Sequence, residues 1–301
     1  MAELSLDDLM FKPGLMKGQR ILITGGGTGL GKVMAEACAL LGAEVYIWGR
    51  RGNVIEDTAK ELSDAHGAKV TGIACDIRVP EAIHDAMDQV WAGGALTGLV
   101  NNAAGNFISR TEDLSPRGFD AIANIVFRGS FFVTLDAGKR WLKEGKHASV
   151  VSILTTWVWN GGPFTVPSAM SKAGLNVMTQ SLAVEWGNRG IRLNAIAPGP
   201  FPTEGAWSRL NPGAGTDSAP ADPTIPLNRN GEMRELANLA VYLLDPGSAY
   251  VNGQTIAIDG GSHLKSGGGF NRLSEWGDAE WAAARDSIRS TNEKDRAQRT
   301  V

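Results

Sequence analysis

Three features of this 301-residue sequence predict an α/β fold with a doubly wound parallel sheet. Short apolar runs alternate with segments of 3.6-residue periodicity along most of the chain. The first run flows directly into a glycine-rich turn and then a helical pattern. The composition is that of a globular chain, 43% hydrophobic and 20% charged. Repeated strand–helix–strand units demand right-handed crossovers and parallel pairing, because each connecting helix must pack back onto the sheet. One unbroken alternation argues for a single domain over 1–301.

The strands are predicted, in order, at Arg20–Thr24, Glu44–Trp48, Val70–Ala74, Gly98–Asn101, Ser149–Ile153, Arg192–Ala197 and Thr255–Ile258. Each is a short run bounded by turn residues, as expected for strands covered on both faces. Between them, Lys32–Leu41, Val54–His66 and Gly174–Trp186 carry apolar residues at helical spacing. Two regions break the alternation. Phe201–Pro226, rich in Pro, Gly, Asp and Ser, is expected either to cover a substrate cleft or to be a plain loop. An extension over 275–301 holds a helical stretch, Ala279–Ile288, and then a charged run, Asn292–Arg299, expected to fray.

The turn Thr24-Gly25-Gly26-Gly27-Thr28-Gly29-Leu30-Gly31 lies between the first strand and the first helix. Gly25, Gly27, Thr28, Gly29, Leu30 and Gly31 are therefore candidate contacts for a dinucleotide, in the manner of a Rossmann-type fold. Glycines let the backbone turn sharply and approach a pyrophosphate, and the helix N-terminus presents N–H groups to its charge. Further candidates stand at later strand ends, where open α/β sheets bind ligands. Asp76 and Ile77 follow the third strand, with Asp76 able to accept from an adenine amino group. Asn102, Ala103 and Ala104 follow the fourth strand, and Pro198, Gly199 and Pro200 the sixth, beside the nicotinamide. The second strand ends in Arg50 and Arg51, where an NAD site usually carries an acid. Two bases suit the 2′-phosphate of NADP; a pair of solvated arginines at a helix start is the alternative.

Other classes find no support. Lys and Arg total 29 against 32 for Asp and Glu, so charge gives no reason to expect nucleic acid or an anionic membrane. Cys38 and Cys75 form no C-x-x-C pair, and His66, His84, His147 and His263 are scattered, so no metal site is expected. No apolar run approaches the length of a membrane span. The N-terminal residues are acidic and the last three, Arg299-Thr300-Val301, are no peroxisomal signal, so the expected compartment is the cytoplasm.

Together these motifs resemble the short-chain dehydrogenase/reductase superfamily. Over roughly residues 11–290 the chain is similar to 2,4-dienoyl-CoA reductases. The similarity is carried by Asn102–Ser109, by Pro167–Gly174, and by Pro198-Gly199-Pro200 with Gly205–Leu210. It implies an NADPH-dependent reductase of fatty acid metabolism, homotetrameric, with an acyl-CoA substrate. By the same resemblance Asn106 would hydrogen-bond the thioester carbonyl and Lys172 the nicotinamide ribose, with Ser168 beside it. Arg78 and Arg209 would hold the phosphate-bearing part of CoA, and Phe107 and Ser115 would contact substrate.

The chain also departs from these patterns. The superfamily's tyrosine, four residues before the lysine, is Ser168 here. The tyrosine that mitochondrial-type reductases carry fifteen residues before the lysine is Trp157. The helix asparagine of the superfamily aligns with Arg128, and the aspartate of peroxisomal-type relatives with Val126. Ketone reduction needs an acid for the new alkoxide, and losing it costs about 10²–10⁴ in rate. Conjugate reduction of an unsaturated thioester puts hydride on carbon and charge on the thioester oxygen, which needs donors first. Asn106 and the indole N–H of Trp157 are such donors. The sequence therefore favours an ene-type reductase. A reductase or dehydrogenase of another carbonyl compound and a nucleotide-binding protein without catalysis remain the alternatives.

Overall fold

The structure, a computed structural model, describes residues 4–203, 225–265, 273 and 275–297. Its sheet has seven strands in the order β3-β2-β1-β4-β5-β6-β7. They are β1 Arg20–Thr24, β2 Glu44–Gly49, β3 Val70–Ala74, β4 Gly98–Asn101, β5 Ala148–Ile153, β6 Ile191–Pro198 and β7 Thr255–Ile258. Every adjacent pair is parallel. All seven predicted strands are present, with ends moved by at most one residue. The order reverses between β1 and β4, which opens a crevice at their carboxyl ends.

Alternation along each strand sends side chains to two cores. On one face Ile21, Ile23, Val45 and Ile47 pack against α1 (Gly29–Leu40), α2 (Gly52–His66) and α8 (Met233–Leu244). On the other, Leu22, Trp48 and Leu99 meet α3 (Pro80–Trp91), α5 (Ser130–Glu144) and α7 (Val166–Gly187). Each fully buried Leu, Ile or Met contributes about 1.5–3 kcal/mol. The N-terminal segment joins the first core: Leu4, Leu9 and Met16 are buried there, and the Leu4 N–H donates to Glu36, itself bonded to His66 at 3.0 Å.

Between α4 (Pro116–Ala123) and α5 the helix widens into a π-helical stretch, Asn124–Gly129. The whole run Pro116–Glu144 is long and apolar enough to cross a membrane by composition alone. Of its apolar side chains, Ile122, Val126, Val133, Ala137 and Trp141 are buried in the protein core, while Phe127 and Phe131 are exposed.

Helix α7 begins eight residues before the predicted Gly174. Pro167 sits in its first turn, where a fixed φ is favourable, and small residues over the next turns hid the helical period. The chain divides into two compact units, Met1–His263 and Leu264–Val301. In the second, a helix spans Asp278–Ala297, longer than the predicted Ala279–Ile288 and continuing into the run expected to fray. Glu, Lys, Asp, Arg and Ala without Gly or Pro sustain a helix there. Most of the predicted insertion, 204–224, lies outside the described residues, and Arg209 and the segment Gly205–Leu210 with it.

Candidate active site

The hydroxyl of Thr24, the last residue of β1, organises the crevice. It accepts the N–H groups of Asn102 and Ala103, both at 3.1 Å, and donates to the Val100 carbonyl at 3.3 Å. The Asn102 amide returns the link, donating to the carbonyls of Thr24 at 3.0 Å and Gly25 at 3.2 Å. The glycine turn and the end of β4 are thus one hydrogen-bonded unit. Gly25 has φ +66, and a Cβ there would lie 2.9 Å from the Ala103 Cα, so only glycine fits. Thr28 precedes α1 with its side chain uninvolved in capping, and Gly29, Leu30 and Gly31 form the first turn. Bare backbone, open N–H groups and the positive end of α1 meet at one place. This geometry fits the pyrophosphate of a dinucleotide.

Beyond the carboxyl ends of β2 and β3 the predicted residues are charged. Arg50 and Arg51 are exposed beyond β2, with Arg51 at the N-cap of α2. Asp76 and Arg78, predicted for separate ligands, are partners: Arg78 Nε lies 2.9 and 3.0 Å from the two Asp76 oxygens. The Arg78 guanidinium is the main cause that holds the Asp76 carboxyl below its ordinary range, with a smaller effect of Arg50. Ile77 between them is buried.

Near the start of α7, Ser168 and Lys172 lie one turn apart and are both buried, 4% and 6% exposed. The Lys172 ammonium donates to the Ile153 carbonyl at the end of β5. Burial lowers its pKa to about 8. Trp157 is half-buried and opens a short turn, α6 (Trp157–Asn160). Asn106 is half-buried; its Oδ1 accepts the Phe107 N–H at 2.9 Å, which leaves the amide nitrogen as the donor. Phe107 packs against Ile122, Val126 and Leu154 in a third cluster. Ser115 is exposed and caps α4, its oxygen accepting the Gly118 N–H at 3.1 Å. Pro198 ends β6, and Gly199 continues pairing with β7 through the Ile258 carbonyl at 3.0 Å.

Arg128 does not stand beside Lys172. It is exposed, lies over the Phe132 ring at 4.8 Å, and donates to the Arg78 carbonyl at 2.7 Å. The buried positions in this stretch belong to Val126 and Gly129. None of the chain's three tyrosines serves the site. Tyr46 donates to Glu44 and accepts from Arg20 at the N-terminal side of the sheet. Tyr242 is on α8, and Tyr250 is fully exposed before β7. Sequence reasoning missed the organising role of Thr24 and the pairing of Asp259 with His263. The tripeptide Asp259-Gly260-Gly261 after the last strand was the available signal for the second.

A parallel sheet of this order, with a glycine turn at its switch point and a buried Ser–Lys pair beyond it, defines a dinucleotide-binding oxidoreductase fold. The chain belongs to the short-chain dehydrogenase/reductase superfamily. The family model described as Enoyl-(Acyl carrier protein) reductase matches residues 25–263. An uncharacterized oxidoreductase of Caenorhabditis elegans is 43% identical over 289 residues, 94% of this chain and 92% of that protein. A probable 2,4-dienoyl-CoA reductase of the same organism, described as (3E)-enoyl-CoA-producing, is 41% identical and covers 96% of this chain and 95% of its own length. Among solved structures, a short-chain dehydrogenase from Bacillus anthracis is 39% identical with TM-score 0.74, over 83% of this chain and 98% of that one. The protein is accordingly an oxidoreductase of this superfamily.

Proposed function

We propose that this protein reduces conjugated acyl-CoA thioesters with NADPH, as a 2,4-dienoyl-CoA reductase does. The observation that carries the reading is the absence of a phenol beside Lys172. Ser168 occupies the tyrosine position, and all three tyrosines are engaged or exposed elsewhere. A site without an oxygen acid is poorly suited to ketones and adequate for hydride addition to carbon.

When bound, the nicotinamide nucleotide supplies the hydride. Gly25–Gly31 would hold its pyrophosphate, Arg50 and Arg51 its 2′-phosphate, and Lys172 its ribose, while Pro198–Pro200 would border the ring. Asn106 donates its amide N–H to the thioester oxygen as charge develops there. The indole of Trp157 forms the facing wall and is a second donor. Neither titrates in the working range, so water delivers the proton to carbon. Arg78, opened from Asp76, would meet the CoA phosphates.

The test compares turnover of a 2,4-dienoyl-CoA and a 3-ketoacyl-CoA by the unmodified protein. The dienoyl thioester is expected to turn over faster, with little alcohol oxidation. Faster reduction of the ketone would overturn the reading, because it requires an efficient acid at oxygen. Trp157→Phe keeps the wall and removes the donor; a small loss would leave Asn106 as the principal donor, and a large one would put the indole N–H on the oxyanion.

A further inference from the structure

We infer that Asp259 and His263 form a clamp that fixes the turn carrying Trp157, and that His263 is a positioning residue for the wall of the acyl-thioester site; the inference rests on the function proposed above.

The helix α6 is weak on its own. It has four residues, and its own support consists of a few bonds: Val158 N–H to Thr155 at 3.2 Å, Trp159 N–H to Thr156 at 3.1 Å and Gly161 N–H to Trp157 at 2.9 Å. So short a helix does not hold itself in water. Its place is set by what grips it from outside. The indole of Trp157 is packed over the following loop, so closely that a Cβ on Gly162 would lie 2.9 Å from the ring. That loop runs through Thr165 into α7 and Ser168. Where α6 goes, the wall of the site follows.

His263 grips the other end of α6 twice. Its ring stacks on Trp159, with centroids 4.8 Å apart and planes at 29°. Its carbonyl accepts the side-chain amide of Asn160 at 3.0 Å. Trp159 is 44% exposed, and this stack accounts for a large aromatic side chain held at the surface.

His263 is in turn fixed by Asp259, whose carboxylate is buried. Asp259 accepts the Gly261 N–H at 3.0 Å and, on one oxygen, both the backbone N–H and the ring Nδ1 of His263 at 2.7 Å. Burial pushes the Asp259 carboxyl up, but the bonds from His263 and Gly261 prevail and keep it below its ordinary range. An ionised acceptor makes Nδ1 the donor and so fixes the ring's orientation. Asp259 also touches the cofactor side of the site: a Cβ on Gly199 would lie 2.6 Å from its own Cβ. One residue pair thus ties the Trp157 turn to the Pro198–Pro200 segment. Among the described residues no group of three or more His, Cys, Asp or Glu is placed to hold a metal ion.

The test uses the full-length chain and two readouts. The first is amide hydrogen exchange of the peptide spanning residues 154–165, compared with peptides from α1 and α5. His263→Ala is expected to speed exchange in 154–165 on the order of tenfold and leave α1 and α5 unchanged. His263→Phe, which keeps the ring on Trp159, and His263→Asn, which keeps a donor for Asp259, should each fall between. They also decide the matter if the alanine variant does not fold. Exchange in 154–165 within twofold of the parent, or a rise spread equally over all peptides, would overturn the clamp. The second readout is kinetic. His263→Ala should lower kcat on a dienoyl-CoA roughly ten- to a hundredfold by misplacing the wall, with KM for NADPH little changed. Joined to Trp157→Ala, it should add nothing further; independent, multiplying losses would remove His263 from the path through Trp157. The exchange experiment needs no turnover, so a protein inactive on every dienoyl-CoA would sink the proposed function and leave the clamp to be judged on its own.

Discussion

Arg128 donates a hydrogen bond to the main-chain carbonyl of Arg78 at 2.7 Å, joining the π-helical stretch before α5 to the loop after β3. Arg128 therefore serves the loop after β3, and Lys172 bonds the Ile153 carbonyl. A guanidinium is too strongly charged to replace a buried amide without a partner. In the π-helical stretch Asn124–Gly129 Arg128 projects to solvent, with Val126 buried in its stead.

Arg128→Met should accordingly act on binding. Losing one charge-assisted bond at an exposed carbonyl costs about 1 kcal/mol or less. KM for the CoA thioester should rise a few-fold while kcat stays near the parent value. Steady-state kinetics check this, and a fall in kcat beyond tenfold would return Arg128 to the reacting centre.

Arg50 is expected to set the cofactor preference. A charge-assisted bond to the 2′-phosphate is worth about 1.5–3 kcal/mol, roughly 10- to 150-fold in affinity. Arg50→Ala should weaken NADPH binding by that amount and leave NADH binding little changed, as read by fluorescence titration. Equal affinity of the parent protein for both nucleotides would refute the assignment.

Asn106→Ala tests the oxyanion donor. Removing one such donor costs about 10²–10³ in kcat. NADPH affinity should change little, since among the described residues the Asn106 side chain bonds forward, to the Phe107 N–H. Activity within a few-fold of the parent would reduce Asn106 to a turn residue.

Lys172 gives a prediction in pH. Burial lowers its pKa from 10.5 to about 8, so the unfolded chain binds more protons than the folded one between those values. Stability should rise with pH across that window and carry the full cost of the buried charge below it. Lys172→Met is therefore expected to stabilise the cofactor-free protein at pH 7, by about 3 kcal/mol at most, with the gain gone above roughly pH 10.5. Urea unfolding at a series of pH values measures it. A destabilised Lys172→Met at pH 7 would show that the bond to the Ile153 carbonyl outweighs desolvation.

Much of this protein was legible in its sequence because the signals are local. Seven strands were placed to within one residue, since a strand buried on both faces is a short apolar run with turn residues at each end. The glycine turn was legible because its chemistry lies in consecutive residues. Helix α7 was cut short, since Ser168, Ser171 and Lys172 are buried polar residues that erase the apolar period. What no local pattern contains is which polar groups meet across the crossovers. The bond network of Thr24 with Asn102 spans 78 positions, Arg128 reaches Arg78 across 50, and Asn160 reaches His263 across 103. The sequence by itself determined the strand order's raw material, the nucleotide turn and the missing tyrosine. Only the tertiary structure decided that Asp76 and Arg78 are partners, that Arg128 faces away from Lys172, and that Trp159 stands on His263. Side-chain hydrogen bonds depend on Å-scale geometry between distant segments, and the alternation of apolar residues fixes the segments without fixing those distances.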